Sequence, residues 1–280
     1  MTGPAVVAAP GAVTPSAWAD DLAFALEAAG RAGTVLMDRY ERLERVDYKS
    51  ARDVVTEADH LSEALILDAI RARCPADAVL AEESGEHRAT AGEAVTSGRG
   101  RVWVVDPLDG TVNYANGLPV FCISIALVVD GVPTVGVILD PTRDEVFAAT
   151  VDGPTTLAGR PVRASEKEKL TDCVVALSLH GRTAATRTRA VRKAVRITRD
   201  MGSAALALAY VANGRFDAFI QQGGLSPWDV AAAGLIAERS GATVTSLTGG
   251  PWFDLAAKLR TSGVVAAPAA HYATLLDLVR

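Results

Sequence analysis

The chain has 280 residues, 49% of them hydrophobic, and a formal net charge of −5. That length buries a sizeable core in one large domain or two tightly joined lobes, and the apolar share excludes a disordered chain. The mild acidity gives no global field for nucleic acid or an anionic membrane, so an anionic ligand would have to be attracted locally.

Residues 1–15 read as a flexible N-terminal tail, because Met1 to Ala17 holds small residues and prolines and lacks the basic start of a signal peptide. Residues 16–280 read as a single two-lobed domain, with lobes of about 16–165 and 166–280. No apolar run reaches the roughly 18 residues of a spanning helix without an Asp, Arg or Glu interrupting it. Cys74, Cys122 and Cys173 fit no metal or disulfide spacing and imply free thiols in a reducing cytoplasm.

Thr14 and Pro15 cap and start a helix whose core face is Leu22, Ala25, Leu26, Ala29, Gly33, Leu36, Met37 and Tyr40. Val46 to Val55 is a connector or hairpin, and Thr56 with Asp59 opens a second helix with Leu61, Leu65 and Ala69 at its apolar positions. The Thr56-x-x-Asp59 spacing is that of a capping box, which by itself accounts for the acid. Cys74-Pro75 closes this helix, and a short strand, Ala78 to Ala81, delivers Glu82 and Glu83. Adjacent acids at a strand end repel unless a cation lies between them or one faces away. His87 to Gly100 is polar and reads as a mobile loop.

Val102 to Val105 has the composition of a buried strand, and it stops at Asp106-Pro107, where proline cannot continue a ladder. Pro107 fixes φ and Gly110 can supply a tight turn, so Asp106 and Asp109 can converge on one point with the Thr111 hydroxyl beside them. A Pro-Gly turn with solvated acids also explains Asp-Pro-x-Asp-Gly taken alone. A calcium loop does not, since its alternating oxygen ligands and distal Glu are missing.

An antiparallel meander follows: Val120 to Asp130, Val132 to Leu139 and Glu145 to Val151. Val162 to Ser165 ends the sheet-rich half, and an alternating β/α half begins with a strand at Cys173 to Ser178. Thr183 to Ile197 is a helix in a basic segment made by Arg182, Arg187, Arg189, Arg192, Lys193, Arg196 and Arg199. It reads as a solvated face, because no aromatic residues interleave with the charges. A small-residue helix runs from Met201 to about Ala212, and Gly202 and Ser203 would put free backbone amides at its start, a place that suits an anion. A strand at Arg215 to Gln222, a helix opened by Pro227, strands at Thr243 to Thr245 and Ser262 to Ala266, and a terminal helix from Pro268 complete the chain.

Glu82, Asp106, Asp109 and Asp229 each lie at the end of a regular element and together supply an all-oxygen site without His or Cys. Such hard ligands select Mg²⁺ or Mn²⁺ over zinc. Asp106 can bridge two ions about 3.5–4 Å apart, the spacing that holds the attacking and leaving oxygens of a phosphoryl displacement. The substrate this implies is a phosphate ester.

Asp106-Pro-Leu-Asp-Gly-Thr-Val-Asn-Tyr114 resembles the signature of the inositol monophosphatase family, within the magnesium-dependent, lithium-sensitive phosphatases. Asp53-Val-Val-Thr-Glu-Ala-Asp59, Glu82-Glu-Ser84, Gly202-Ser-Ala-Ala205 and Trp228-Asp-Val-Ala-Ala-Ala-Gly234 resemble its other blocks in order, over roughly Asp20 to Arg280. The resemblance implies a layered α/β/α/β/α sandwich, usually dimeric. It implies two or three Mg²⁺ ions, with Mn²⁺ as a substitute: one held by Glu82, Asp106 and the Leu108 carbonyl, the second by Asp106, Asp109 and Asp229. Thr111 and Asp59 would orient the nucleophilic water, with Glu82 the third catalytic residue. The Gly110 and Thr111 amides would grip phosphate, and the organic part of the ester would lie near Gly202, Ser203 and Ala204, beside Asp109 and Asp229.

Where the family carries an inositol-recognising acid, this chain has Gln221-Gln222-Gly223-Gly224 and one more residue before Trp228. Either glutamine can take the acid's place, and Gln222 is carried forward as the contact. Losing a carboxylate removes a strong acceptor for vicinal hydroxyls and weakens the case for inositol. The expected activity is therefore a magnesium-dependent phosphomonoesterase on a small polyol or sugar phosphate. Inositol 1-phosphate is the default substrate; histidinol phosphate, fructose 1,6-bisphosphate and a nucleotide 3′-phosphate are the alternatives. The Arg-rich helix is the one support for a non-catalytic role in binding protein or RNA. Expected partners are the small phosphate ester and a second copy of the chain, with no membrane or nucleic acid, in the cytoplasm.

Overall fold

The computed structural model describes residues 16–42, 46–50, 53–88, 99–255 and 263–280. In chain order, α1 (Ala19–Arg39) leads to the antiparallel hairpin of β1 (Val46–Ser50) and β2 (Asp53–Thr56), then to α2 (Glu57–Arg73). An eight-stranded sheet follows, built from β3 (Ala78–Ala81), β4 (Gly85–His87), β5 (Arg101–Asp109), β6 (Cys122–Val129), β7 (Val132–Asp140), β8 (Glu145–Thr150), β9 (Thr156–Leu157) and β10 (Arg160–Pro161). Its spatial order is β10-β9-β8-β7-β6-β5-β3-β4, antiparallel except for the β3–β5 pair.

Alternation along β5 divides the core: Trp103 and Val105 face one way, Val102 and Val104 the other. The first face is covered by α1 and α2 through Ala25, Ala29, Leu36, Ile66 and Ile70. The second is covered by α5 (Ala204–Ala209) and α6 (Pro227–Arg239). Every residue of α6 from Val230 to Ala237 is buried, as a helix between two sheets requires. Close approach needs small residues on both sides. A Cβ at Gly136 of β7 would lie 2.8 Å from the Ala232 carbonyl oxygen of α6, so only glycine lets this helix lie against the sheet.

The second sheet places β12 (Ile197–Arg199), β11 (Val174–Ser178) and β13 (Ala218–Gln221) in parallel, followed by β15 (Val264–Pro268) and β14 (Ala242–Ser246), both antiparallel to their neighbours. Its outer face meets α4 (Ala184–Ala194) and α7 (Ala269–Val279), through Val191, Leu275 and Val279 packed on Val175, Ile220 and Val265. The layers are therefore α/β/α/β/α, the architecture that the family resemblance implies. No helix among the described residues is long and apolar enough to cross a membrane.

Several expectations change. β5 does not end at Pro107: it runs on to Asp109, with a register shift between Asp106 and Asp109 against β6. Proline, lacking an N–H, falls in that irregular stretch, and the pairing resumes at Asp109 with Cys122. The buried stripe of α1 is made largely of alanine, including Ala28 and Ala32, while Met37 is exposed. Trp18 precedes the first turn of α1, and Thr14 and Pro15 lie outside the described residues. Leu61 of α2 is exposed, and that helix buries Asp59, Ser62 and Glu63 instead. His87 pairs with Val79 in β4; residues 89–98 of the expected mobile loop lie outside the described residues. The helix expected from Thr183 to Ile197 ends at Ala194, because Ile197 already pairs with Val174.

Candidate active site

The site forms where β5 leaves the sheet. Asp106 is buried, and its Oδ1 accepts the Leu108 N–H at 3.0 Å, which turns the chain back on itself. Ser62 of α2 holds this turn from below, its hydroxyl donating to the Pro107 carbonyl at 2.9 Å. Gly110 then adopts φ +95°, and a Cβ there would lie 2.9 Å from the Val120 carbonyl and 3.2 Å from Ser203 Cβ. Both conformation and space demand glycine. The short helix α3 (Thr111–Ala115) follows, and Asn113 locks it in place by donating to the carbonyls of Val120 at 2.7 Å and Met201 at 2.9 Å.

Two helix starts contribute acids. Asp59, third residue of α2, accepts the Thr56 N–H at 2.7 Å and the Thr56 hydroxyl at 2.6 Å, both on Oδ2. Its other oxygen accepts the Thr111 hydroxyl at 3.0 Å, and Thr111 Oγ1 lies equally close to the Leu108 carbonyl. Burial raises the Asp59 carboxyl to about 6, against the downward pull of these hydrogen bonds. Asp229, third residue of α6, accepts the Ser226 N–H on Oδ2 at 2.6 Å. The capping box expected at Thr56 and Asp59 is present without being the whole of that acid's surroundings, and Ser226 with Asp229 forms a second one that the sequence reading does not name.

Asp109 is gripped from the second half of the chain, accepting the Ser203 hydroxyl at 2.5 Å and the amides of Ala205 at 2.8 Å and Ala204 at 3.3 Å. An oxygen from each of Asp106, Asp109 and Asp229 lies within 4.8 Å of the others. Burial, first of all, pushes all three carboxyls up. Glu82 acts on this group as well: its charge raises Asp106 and Asp229, and it hydrogen-bonds Asp106. The turn that carries Glu82 is fixed by two bonds, Glu82 N–H to the Val105 carbonyl at 3.1 Å and Glu83 N–H to the buried Glu63 carboxylate at 2.8 Å.

Among the described residues no Lys or Arg forms an ion pair with Asp106, Asp109 or Asp229. Buried, mutually repelling carboxylates without a protein cation are stabilised by a divalent ion, and an all-oxygen donor set suits a hard one. The residues present fit such an ion.

A cleft of about 260 Å³ opens beside the cluster, lined by Asp109, Asp229, Gly202, Ser203, Ala204 and Gln221 among others. The expected Gln222 contact is not there. Its Oε1 accepts Arg187 Nη2 at 2.5 Å, on the side of α4 and α7. Alternation explains the correction: Phe219 faces the space between the sheets and Ile220 faces α4 and α7, so Gln221 returns to the cleft and Gln222 turns away. Ser203 and Ala204 line the cleft while pointing their donors at Asp109.

Sequence reasoning misses Ser62, Glu63 and Asn113. A signal for Glu63 exists: it lies four residues after Asp59, so two acids share one face of α2. The basic segment is partly consumed by structure, since Arg187 also donates to the Val279 carbonyl at 2.9 Å, Arg196 pairs with Asp172 at 2.8 Å and Arg192 donates to Thr198 at 3.2 Å.

A layered sandwich that brings Asp106 and Asp109 of β5 together with Asp229 of α6, with Glu82 just past β3 acting on them, has a donor set suited to a hard cation. Residues 18–280 match the model of the Inositol monophosphatase family, and the chain belongs to that family. It is 38% identical over 237 residues to Nus factor SuhB of Salmonella typhimurium, an alignment covering 82% of this chain and 86% of the relative. Inositol-1-monophosphatase of Synechocystis sp. is 35% identical over 237 residues, covering 80% and 78%. The crystal structure of extragenic suppressor protein suhB from Bartonella henselae superposes with a TM-score of 0.84 at 32% identity, over 93% of this chain and 98% of that one.

Proposed function

We propose that the chain is a magnesium-dependent phosphomonoesterase acting on a small polyol or sugar phosphate. The observation that carries this reading is the convergence of Asp106, Asp109 and Asp229 within 4.8 Å, with Asp109 and Asp229 lining the cleft and the Asp59–Thr111 hydrogen bond at the turn after Asp109. Glu82, Asp106 and the Leu108 carbonyl would hold one ion, and Asp106, Asp109 and Asp229 a second. When bound, the ions lower the pKa of water and neutralise phosphate oxygens.

The remaining work belongs to side chains. Thr111 Oγ1 donates a hydrogen bond to Asp59 Oδ1, so its lone pairs can accept a hydrogen bond from the attacking water and relay the water's proton to the Asp59 carboxylate. Asp59 is fixed for this by Thr56, and α2 fixes the opposite side through Ser62 and Glu63. The Gly110 and Thr111 amides, at the first turn of α3, suit the oxygens of the phosphate. The name of the Synechocystis relative supports a polyol phosphate as substrate, and Gln221 at the cleft leaves sugar phosphates in the same class. The name of the Salmonella relative points instead to a role as a factor, but the bonds made by Arg187, Arg192 and Arg196 already engage part of the basic segment within the fold. A homodimer, lithium inhibition and a cytoplasmic location belong to the same proposal.

The test is phosphate release from a panel of phosphomonoesters with Mg²⁺, with and without lithium. Turnover of at least one polyol or sugar phosphate, lost on chelation, is expected. A folded protein that binds magnesium and hydrolyses none of them would refute the proposal.

A further inference from the structure

Three parallel strands end at the cleft. β12, β11 and β13 lie side by side in that order, and the carboxyl ends of parallel strands are where open α/β sheets bind ligands. Those ends deliver Asp200 just past β12, Ser178 as the last residue of β11 and Gln221 as the last of β13, with Ser178 and Gln221 directly paired. All three line the cleft that also reaches Asp109 and Asp229. None of them belongs to the acid cluster or to the Asp59–Thr111 pair.

The Asp200 carboxylate is held in a set orientation. Ser178 Oγ donates to its Oδ2 at 3.1 Å, and the Gly202 N–H donates to its Oδ1 at 3.3 Å. An ionised carboxylate only accepts, and each oxygen keeps a further acceptor position for a ligand. Arg199 lines the same cleft with its Nη1 donating to the Thr198 carbonyl, and no carboxylate among the described residues forms an ion pair with it, its neighbour Asp200 included. This wall therefore offers an acceptor and a donor side by side with no net charge. A hydroxyl can accept from Arg199 and donate to Asp200. An ammonium would meet Arg199, and a second phosphate would meet Asp200, each as a like charge.

We propose that Asp200, positioned by Ser178, selects the leaving group of the ester by accepting a hydrogen bond from one of its hydroxyls, across the cleft from Gln221. The proposal rests on the phosphatase reading for the reaction and on the carboxyl edge of the small sheet for the selection. It assigns recognition of the leaving group to a residue outside the family blocks that the sequence displays.

The test compares Asp200→Asn and Ser178→Ala with the wild type on myo-inositol 1-phosphate and on phenyl phosphate, whose leaving group carries no further hydroxyl. The preference in kcat/KM for the polyol ester is expected to fall at least about tenfold in Asp200→Asn and about threefold in Ser178→Ala, which only frees the carboxylate. Equal losses on both esters, or an unaltered preference, would overturn the proposal. So would a gain on fructose 1,6-bisphosphate with the polyol preference intact, since Asp200 would then act by repelling a second anion. Calorimetric binding of myo-inositol in the presence of Mg²⁺ and inorganic phosphate gives a readout independent of turnover. Weaker binding by Asp200→Asn is expected there, and equal binding would count against the proposal. If the wild type hydrolyses none of these esters yet binds myo-inositol more tightly than Asp200→Asn, the phosphatase reading fails and the selection stands.

Discussion

The starts of α2 and α6 are built alike and end up in different chemistry. In each, an aspartate at the third helical position accepts the N–H of the capping residue, Thr56 for Asp59 at 2.7 Å and Ser226 for Asp229 at 2.6 Å. One oxygen is thereby fixed and the other faces the turn where β5 passes into α3. What the end of β5 and the start of α3 present there decides the role. Asp59 meets the neutral Thr111 hydroxyl, and its carboxyl rises to about 6. Asp229 meets Asp106 and Asp109, and burial together with the charges of Asp109 and Glu82 drives its carboxyl well above the ordinary range. One capping device thus serves as a proton-handling group in the first case and as part of a cation site in the second.

Breaking the second case should have the larger effect. Asp229→Asn removes one of the charges that hold the cation while keeping an acceptor for the Ser226 N–H. A loss of about 10³-fold in kcat/KM is expected, the equivalent of several kcal/mol of charge stabilisation, together with loss of the magnesium-induced rise in Tm. Asp59→Asn should separate the two helix starts. Turnover should drop about 10²-fold, because Thr111 loses the carboxylate that takes its proton, yet the magnesium-induced rise in Tm should persist. If both variants lose metal stabilisation equally, the distinction between them is wrong.

The same difference predicts the pH dependence of the metal-free protein. Each of these carboxyls is raised in the folded state, so the folded protein binds more protons than the unfolded one, and stability falls as pH rises. For Asp59 the loss begins near the ordinary carboxyl pKa of 3.8, is complete above about 6 and amounts to about 3 kcal/mol. The cluster should extend the decline to higher pH. Asp59→Asn should flatten the segment between about 4 and 6 only. Magnesium at a hundred times its Kd should return about 2.7 kcal/mol at neutral pH by binding the ionised cluster. Chemical denaturation at a series of pH values, with EDTA or with Mg²⁺, measures all three.

How much of this is legible in sequence follows the same division. Asp106, Asp109 and Asp229 can be read directly, because each sits in a compact block where proline, glycine or tryptophan marks the turn or the helix start. The layering is implied only by the family resemblance, whereas the strands of the sheet-rich half are legible as the apolar runs of β6, β7 and β8. The supports are not. Ser62 and Glu63 occupy the buried face of α2, where an apolar periodicity is sought and polar residues register as noise. Asp200 follows a run of arginines, and only the parallel pairing of β11, β12 and β13 brings it beside Ser178 and Gln221. Counting back from Trp228 across an inserted residue leaves both glutamines open, whereas strand alternation sends Gln222 to Arg187.

The finest distinction between the two helix starts lies in the side chain of the cap. The Thr56 hydroxyl donates directly to Asp59 at 2.6 Å, in addition to the backbone bond, and this contact holds the Asp59 carboxyl below the value that burial alone would give. Thr56→Ala should therefore act in two ways. It should destabilise the protein by about 1 kcal/mol through the lost cap, since Thr56 Oγ1 also accepts the Ala58 N–H at 3.2 Å. It should also raise the Asp59 pKa further, moving the acid limb of the pH–rate profile to higher pH. Thr56→Ser keeps the hydroxyl and should restore both. If the acid limb stays in place while stability falls, Thr56 serves α2 alone and Asp59 is not the group whose ionisation limits turnover at low pH.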